Sequence, residues 1–113
     1  GTPWQHQGFS EYQGTAWYRR RFPAPRVEAS HRVKVIFDAI DGDATVWLNG
    51  KEIGRHELID PVDGRNRWDE PFALDVTDDL NPDRSNVLVV RVRKENGNGG
   101  IHRGVRLVRV DKE

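Results

Sequence analysis

The segment Arg55-His-Glu-Leu-Ile-Asp-Pro-Val-Asp-Gly-Arg-Asn-Arg-Trp-Asp-Glu70 gathers the side chains best suited to hold a polyhydroxylated ligand. Sugars offer C–H faces that stack on aromatic rings, and hydroxyls that bind planar donors and acceptors such as Asp, Asn and Arg. Trp68 stands among Arg65, Asn66, Arg67 and Asp69, with His56 upstream. The candidate binding set is therefore Trp68, Arg65, Asp69, His56 and Asn66, joined by Trp4 from the N-terminal segment. Two readings stand for each tryptophan: Trp68 stacks on a sugar or caps the end of the fold, and Trp4 lines the site or plugs the core. Asp60 and Asp63 are candidate oxygen ligands for a structural calcium ion, at a spacing unlike that of an EF-hand.

Other chemistries find little support. The histidines, His6, His31, His56 and His102, have no paired metal-ligand spacing and read as surface or hydrogen-bonded residues. Ser10, Ser30 and Ser85 sit in no nucleophile elbow, and Gly97–Gly100 lacks the Lys-Ser/Thr of a phosphate loop. Eighteen acidic residues make chance carboxylate pairs easy, but none has a recognisable catalytic context. Neither catalysis nor a cofactor is expected.

Eighteen basic residues balance the acids, so no overall field would recruit nucleic acid or an anionic membrane. No apolar run approaches the roughly 20 residues of a membrane-spanning helix. Without Cys there is no disulfide or thiolate zinc site, and the compartment stays open. At 113 residues the chain reads as one domain, able to bury roughly two-thirds of its unfolded surface. It opens Gly-Thr-Pro-Trp and has no Met, which leads us to expect a piece excised from a longer polypeptide.

The elements that must position the loop are short strands. Candidates run Thr15–Phe22, His31–Asp38, Asp43–Leu48, Lys51–His56, Phe72–Val76, Val87–Lys94 and Val105–Val110, separated by Pro, Gly and Asn-rich turns. Ala44, Val46 and Leu48 alternate with Thr45, Trp47 and Asn49, and Asn49-Gly50 suits a two-residue type I′ hairpin turn. Val33, Val35 and Phe37 share one face, as do Leu88, Val90 and Val92, and these sets should form the two inner faces of a sandwich. One helical turn fits Asp75–Leu80, with Thr77 as its N-cap. Trp17 and Trp47, within strands, read as packing residues. Arg19, Arg20, Arg21, Arg91, Arg93, Arg106 and Arg109 are expected on outer sheet faces, paired with acids or docked on a neighbouring domain. The expected class is all-β, an antiparallel β-sandwich or jelly roll.

Five segments, in order, resemble the N-terminal sugar-binding domain of family 2 glycoside hydrolases, the group of β-galactosidases, β-glucuronidases and β-mannosidases. They are Gly14-Thr-Ala-Trp-Tyr-Arg-Arg-Arg-Phe22, Val46-Trp-Leu-Asn-Gly-Lys-Glu-Ile-Gly54, Pro71-Phe-Ala-Leu-Asp-Val-Thr77, Asn86-Val-Leu-Val-Val-Arg-Val92 and Gly100-Ile-His-Arg-Gly-Val-Arg-Leu107. The resemblance implies a galactose-binding-domain-like jelly roll whose partners are carbohydrate and the other domains of a parent enzyme. It also implies that the catalytic carboxylates belong to a separate barrel. In that family an Asp before the last motif reaches into the barrel's active site. Here the loop is Lys94-Glu-Asn-Gly-Asn-Gly-Gly100, without Asp, and the glycine pair usual before Pro-Phe is replaced by Asp63–Glu70.

Overall fold

The computed structural model describes residues 8–12, 14–25, 31–82, 84–94 and 100–111. Among these residues, eight antiparallel strands form two sheets. They are β1 (Gly8–Tyr12), β2 (Thr15–Pro23), β3 (His31–Asp41), β4 (Asp43–Leu48), β5 (Lys51–His56), β6 (Phe72–Asp75), β7 (Ser85–Arg93) and β8 (Gly100–Asp111). A five-stranded sheet runs β1-β2-β7-β4-β5 and faces a three-stranded sheet, β6-β3-β8. The expected all-β sandwich is the observed fold, and among the described residues only a 3₁₀ turn at Thr77–Asp79 is helical.

Alternation decides which side chains fill the space between the sheets. Val33, Val35 and Phe37 of β3 meet Ala44, Val46 and Leu48 of β4 and Leu88, Val90 and Val92 of β7, all buried. Ala16, Tyr18 and Phe22 extend this layer along β2, and the Tyr18 hydroxyl accepts the Ile101 amide at 3.2 Å, tying the two sheets together. The β4–β5 turn is the two-residue hairpin expected: Leu48 pairs with Lys51, and Asn49 and Gly50 take φ of +53° and +84°. Asn49 does more than turn the chain. Its carboxamide oxygen accepts the Val87 amide at 2.9 Å and its nitrogen donates to Asn86 at 2.8 Å, fastening the hairpin to β7.

Four expectations need correction. A strand, β1, precedes Thr15; a register shift between Gly8 and Ser10 interrupts its alternation, hiding it from a period-two reading. Strand β8 begins at Gly100 rather than Val105, because Gly104 at φ +108° takes the chain through an irregularity opposite Asp38. The N-cap of the 3₁₀ turn is Val76, not Thr77. Thr77 instead donates its hydroxyl to Asp75 at 2.7 Å and accepts the Val33 amide at 2.8 Å. Arg20 lies in the inner register of β2 between Tyr18 and Phe22, whereas Arg91 and Arg93 face outward and Arg106 pairs with Asp38 at 3.3 Å.

Candidate functional site

Strand β5 ends at His56 and releases the chain into a loop that returns to β6 at Phe72. The stem of this loop is anchored from within. Leu58 is buried, its amide donates to the Asp43 carboxylate at 2.8 Å, and its carbonyl accepts the Arg67 amide at 2.8 Å. Ile59 bridges Asn66, and the Asp60 amide donates to Arg65 at 2.8 Å. The tip is closed by side-chain caps. Asp60 accepts the amides of Val62 (2.8 Å) and Asp63 (3.3 Å), while Asp63 accepts that of Arg65 at 2.8 Å. Those amides hold the Asp60 carboxyl below the usual carboxylate range. Arg67 completes the clamp, its Nε donating to the Glu57 carbonyl at 3.1 Å.

Within this frame Trp68 is 49% exposed, and its amide donates to the Asn66 carboxamide oxygen at 3.0 Å. Arg65 pairs with Glu70 at 2.9 Å, and Asp69 is exposed. Trp68, Asn66, Arg65 and Asp69 thus share one ordered loop, with the Asn66 amide nitrogen and the Asp69 carboxylate still open to a ligand. His56 does not join them. It is buried at 5% exposure, its ring 5.0 Å from that of Phe72, and burial together with Arg67 pushes its pKa down. It is thus not a surface histidine; of the two readings expected for it, the hydrogen-bonded one holds, through the Gly42 backbone. Trp4 lies outside the described residues. The calcium candidates Asp60 and Asp63 spend carboxylate oxygens on loop amides, and the described residues contain no group of three His, Asp or Glu able to hold an ion.

Among the described residues, the exposed large hydrophobics, Ile59 (48%), Val62 (94%) and Trp68 (49%), all come from this one loop.

Five motifs in the order of the family, on a sandwich of the implied kind, find their counterpart in known proteins. The pattern of the galactose-binding-domain-like domain of glycosyl hydrolase family 2 matches residues 5–102. The chain belongs to this family. A β-glucuronidase from Formosa agariphila is 26% identical over 88 residues, which is 78% of this chain and 8% of that protein. A family 2 glycosyl hydrolase from Bacteroides cellulosilyticus is 30% identical with a TM-score of 0.69, the match covering 87% of this chain and 12% of that one. An FMN-binding β-glucuronidase from Facaelibacterium prausnitzii L2-6 is 28% identical with a TM-score of 0.70, covering 94% of this chain and 17% of that one. The chain therefore spans less than a fifth of each of these relatives.

Two residues of the family motifs hold the sandwich together, Gly54 and Asp75. Gly54 faces Leu74 of the opposite sheet so closely that a Cβ would sit 2.5 Å from Leu74 Cδ2. Asp75 takes the Arg32 guanidinium and the Thr77 amide and hydroxyl. Trp17 and Trp47, read from the sequence as packing residues, pack on each other rather than between the sheets. They are half-buried on the outer face of the five-stranded sheet, stacked at 5.9 Å between centroids, with the Arg91 guanidinium 5.7 and 5.5 Å from the two rings. Alternation alone carried the signal, since Thr45 and Trp47 stand opposite Ala44, Val46 and Leu48.

Proposed function

We propose that this chain is a non-catalytic carbohydrate-binding accessory domain of a larger family 2 glycoside hydrolase, using the 57–70 loop as its sugar contact. The observation that carries the reading is Trp68, an exposed indole on a loop pinned at stem and tip. A preformed ring costs little entropy to stack on, and Asn66 and Asp69 beside it in sequence supply a donor and an acceptor for hydroxyls. Galactose, glucuronic acid and mannose are the monosaccharides to titrate, following amide shifts in labelled protein. Shifts should cluster on 57–70 for one of them and vanish in Trp68→Ala, whose thermal stability should match wild type. Shifts that avoid the loop with every sugar would defeat the proposal. Release of chromophore from nitrophenyl glycosides by the purified chain would defeat its non-catalytic half.

A second reading draws on Ile59 and Val62, aliphatic side chains that offer a sugar no ring to stack on. On this view the loop is a dock for another domain of the parent enzyme, with no sugar affinity of its own. Ile59→Ser with Val62→Ser would then weaken domain association in the parent, whereas the sugar-binding reading locates the loss in Trp68→Ala.

A further inference from the structure

The outer face of the five-stranded sheet carries a feature set apart from Trp68 and the tip of the 57–70 loop, which lends it only Glu57. Outward side chains form two rows across β2, β7, β4 and β5. One runs Trp17, Arg91, Thr45, Arg55; the next runs Thr15, Arg93, Asp43 and, just past β5, Glu57. Between them lies an open cleft of about 550 Å³, lined by residues of both rows and by Lys94. That volume suits a small-molecule ligand of one or a few rings.

The charges in the cleft are unequally satisfied. Arg55 pairs with Glu52 at 3.1 Å and Lys94 with Asp41 at 3.0 Å. Arg91 has only Thr45 Oγ1 at 3.4 Å and the two indoles, its buried Nε lacking an acceptor, and Arg93 has no ion-pair partner among the described residues. The carboxylate facing Arg93 across the ladder, Asp43, is engaged by the Leu58 amide at 2.8 Å. Among the described residues, no carboxylate pairs with these two guanidiniums on consecutive outward positions of one strand. A buried, orphaned N–H beside an exposed guanidinium is the arrangement an incoming oxyanion would complete, because charge-assisted bonds to such a fork are strong and directional. Thr15, Thr45 and Glu57 around the same cleft supply partners for hydroxyls.

We propose that this cleft binds an acidic saccharide, its carboxylate or sulfate held by Arg91 and Arg93 and its hydroxyls by Thr15, Thr45 and Glu57. Trp17 and Trp47 hold the Arg91 guanidinium in place from behind, which lowers the entropy lost on binding.

The test titrates labelled protein with galacturonate, galactose and inorganic sulfate at constant ionic strength. Galacturonate should shift the amides of Thr15, Thr45, Arg91 and Arg93 and perturb tryptophan fluorescence. Galactose should leave those amides unmoved, and sulfate should bind more weakly than galacturonate. Arg93→Met, at an exposed position, should weaken galacturonate binding by about tenfold or more without loss of fold. Trp68→Ala should leave it unchanged, which separates this site from the loop. Equal binding of galactose or sulfate, shifts elsewhere, or full affinity in Arg93→Met would each overturn the proposal.

Discussion

Asn86 is the residue on which the end of the sandwich nearest the β4–β5 turn should depend most. Its side chain is fully buried and makes four hydrogen bonds. Its oxygen accepts Asn49 Nδ2 at 2.8 Å and the Asn81 amide at 2.7 Å, and its nitrogen donates to the carbonyls of Asn81 at 3.2 Å and Arg84 at 3.1 Å. Asn86→Ala removes all four at once. Each such bond contributes roughly 0.5–1.5 kcal/mol net, and the partners belong to exposed residues that water partly reaches, so the expected loss is about 2–4 kcal/mol. With a urea slope of about 1.5 kcal/mol/M, the unfolding midpoint should fall by roughly 1.3–2.7 M. Asn86→Asp keeps both acceptor bonds but turns a carboxylate on two carbonyls, so it should be no milder. A fall of under about 0.5 M for Asn86→Ala would show that the buried amide is not what joins turn, 81–84 segment and β7.

Gly54→Ala drives a methyl into Leu74 and should destabilise by about 1–3 kcal/mol, part of it recovered when Leu74 is also shortened to Ala; equilibrium urea unfolding measures both. His56, whose pKa is lowered in the fold, binds its proton more readily once unfolded, so its contribution is intact above about pH 6.5 and is lost as pH falls below it. The imidazole shifts of His56 should therefore titrate below the ordinary histidine range, with the melting temperature falling over the same interval. Asp75 is held well below the usual carboxylate range, first by Arg32. Its contribution is present above about pH 4 and disappears as pH drops through the folded value, so Asp75→Asn should flatten the acid limb of the melting curve without moving the limb due to His56.

How much of this molecule could be read from its residues depended on whether the deciding information was local. The β4–β5 hairpin was legible to the residue because the Asn-Gly turn and the alternation of Ala44, Val46 and Leu48 act within a few residues. The facing of β3 and β7 was legible for the same reason. Strand β1 and the first part of β8 were not, since a bulge breaks the period on which such a reading rests. For the loop after β5, the boundaries were legible but its internal hydrogen bonding was not. That Asp60 and Asp63 would cap amides, and Arg67 would clamp Glu57, follows from a tip conformation that composition does not specify.

The misplacement of His56 has a single cause, and the same cause shapes the cleft. A regular ladder continuing from Leu48–Lys51 and Trp47–Glu52 would pair Ala44 with Arg55 and leave His56 opposite Asp43, facing outward. The register instead shifts between Val46 and Trp47, so Val46 meets Gly54, Thr45 meets Arg55 and Ala44 meets His56. Because the side-chain period of a strand is two, this one-residue slip exchanges the faces of everything beyond it. Gly54 turns inward, where only a residue without a side chain clears Leu74. His56 turns inward against Phe72 and loses access to solvent. Arg55 turns outward beside Thr45 and joins the wall of the cleft. One inserted residue therefore removes a histidine from the loop surface and adds a guanidinium to the sheet surface.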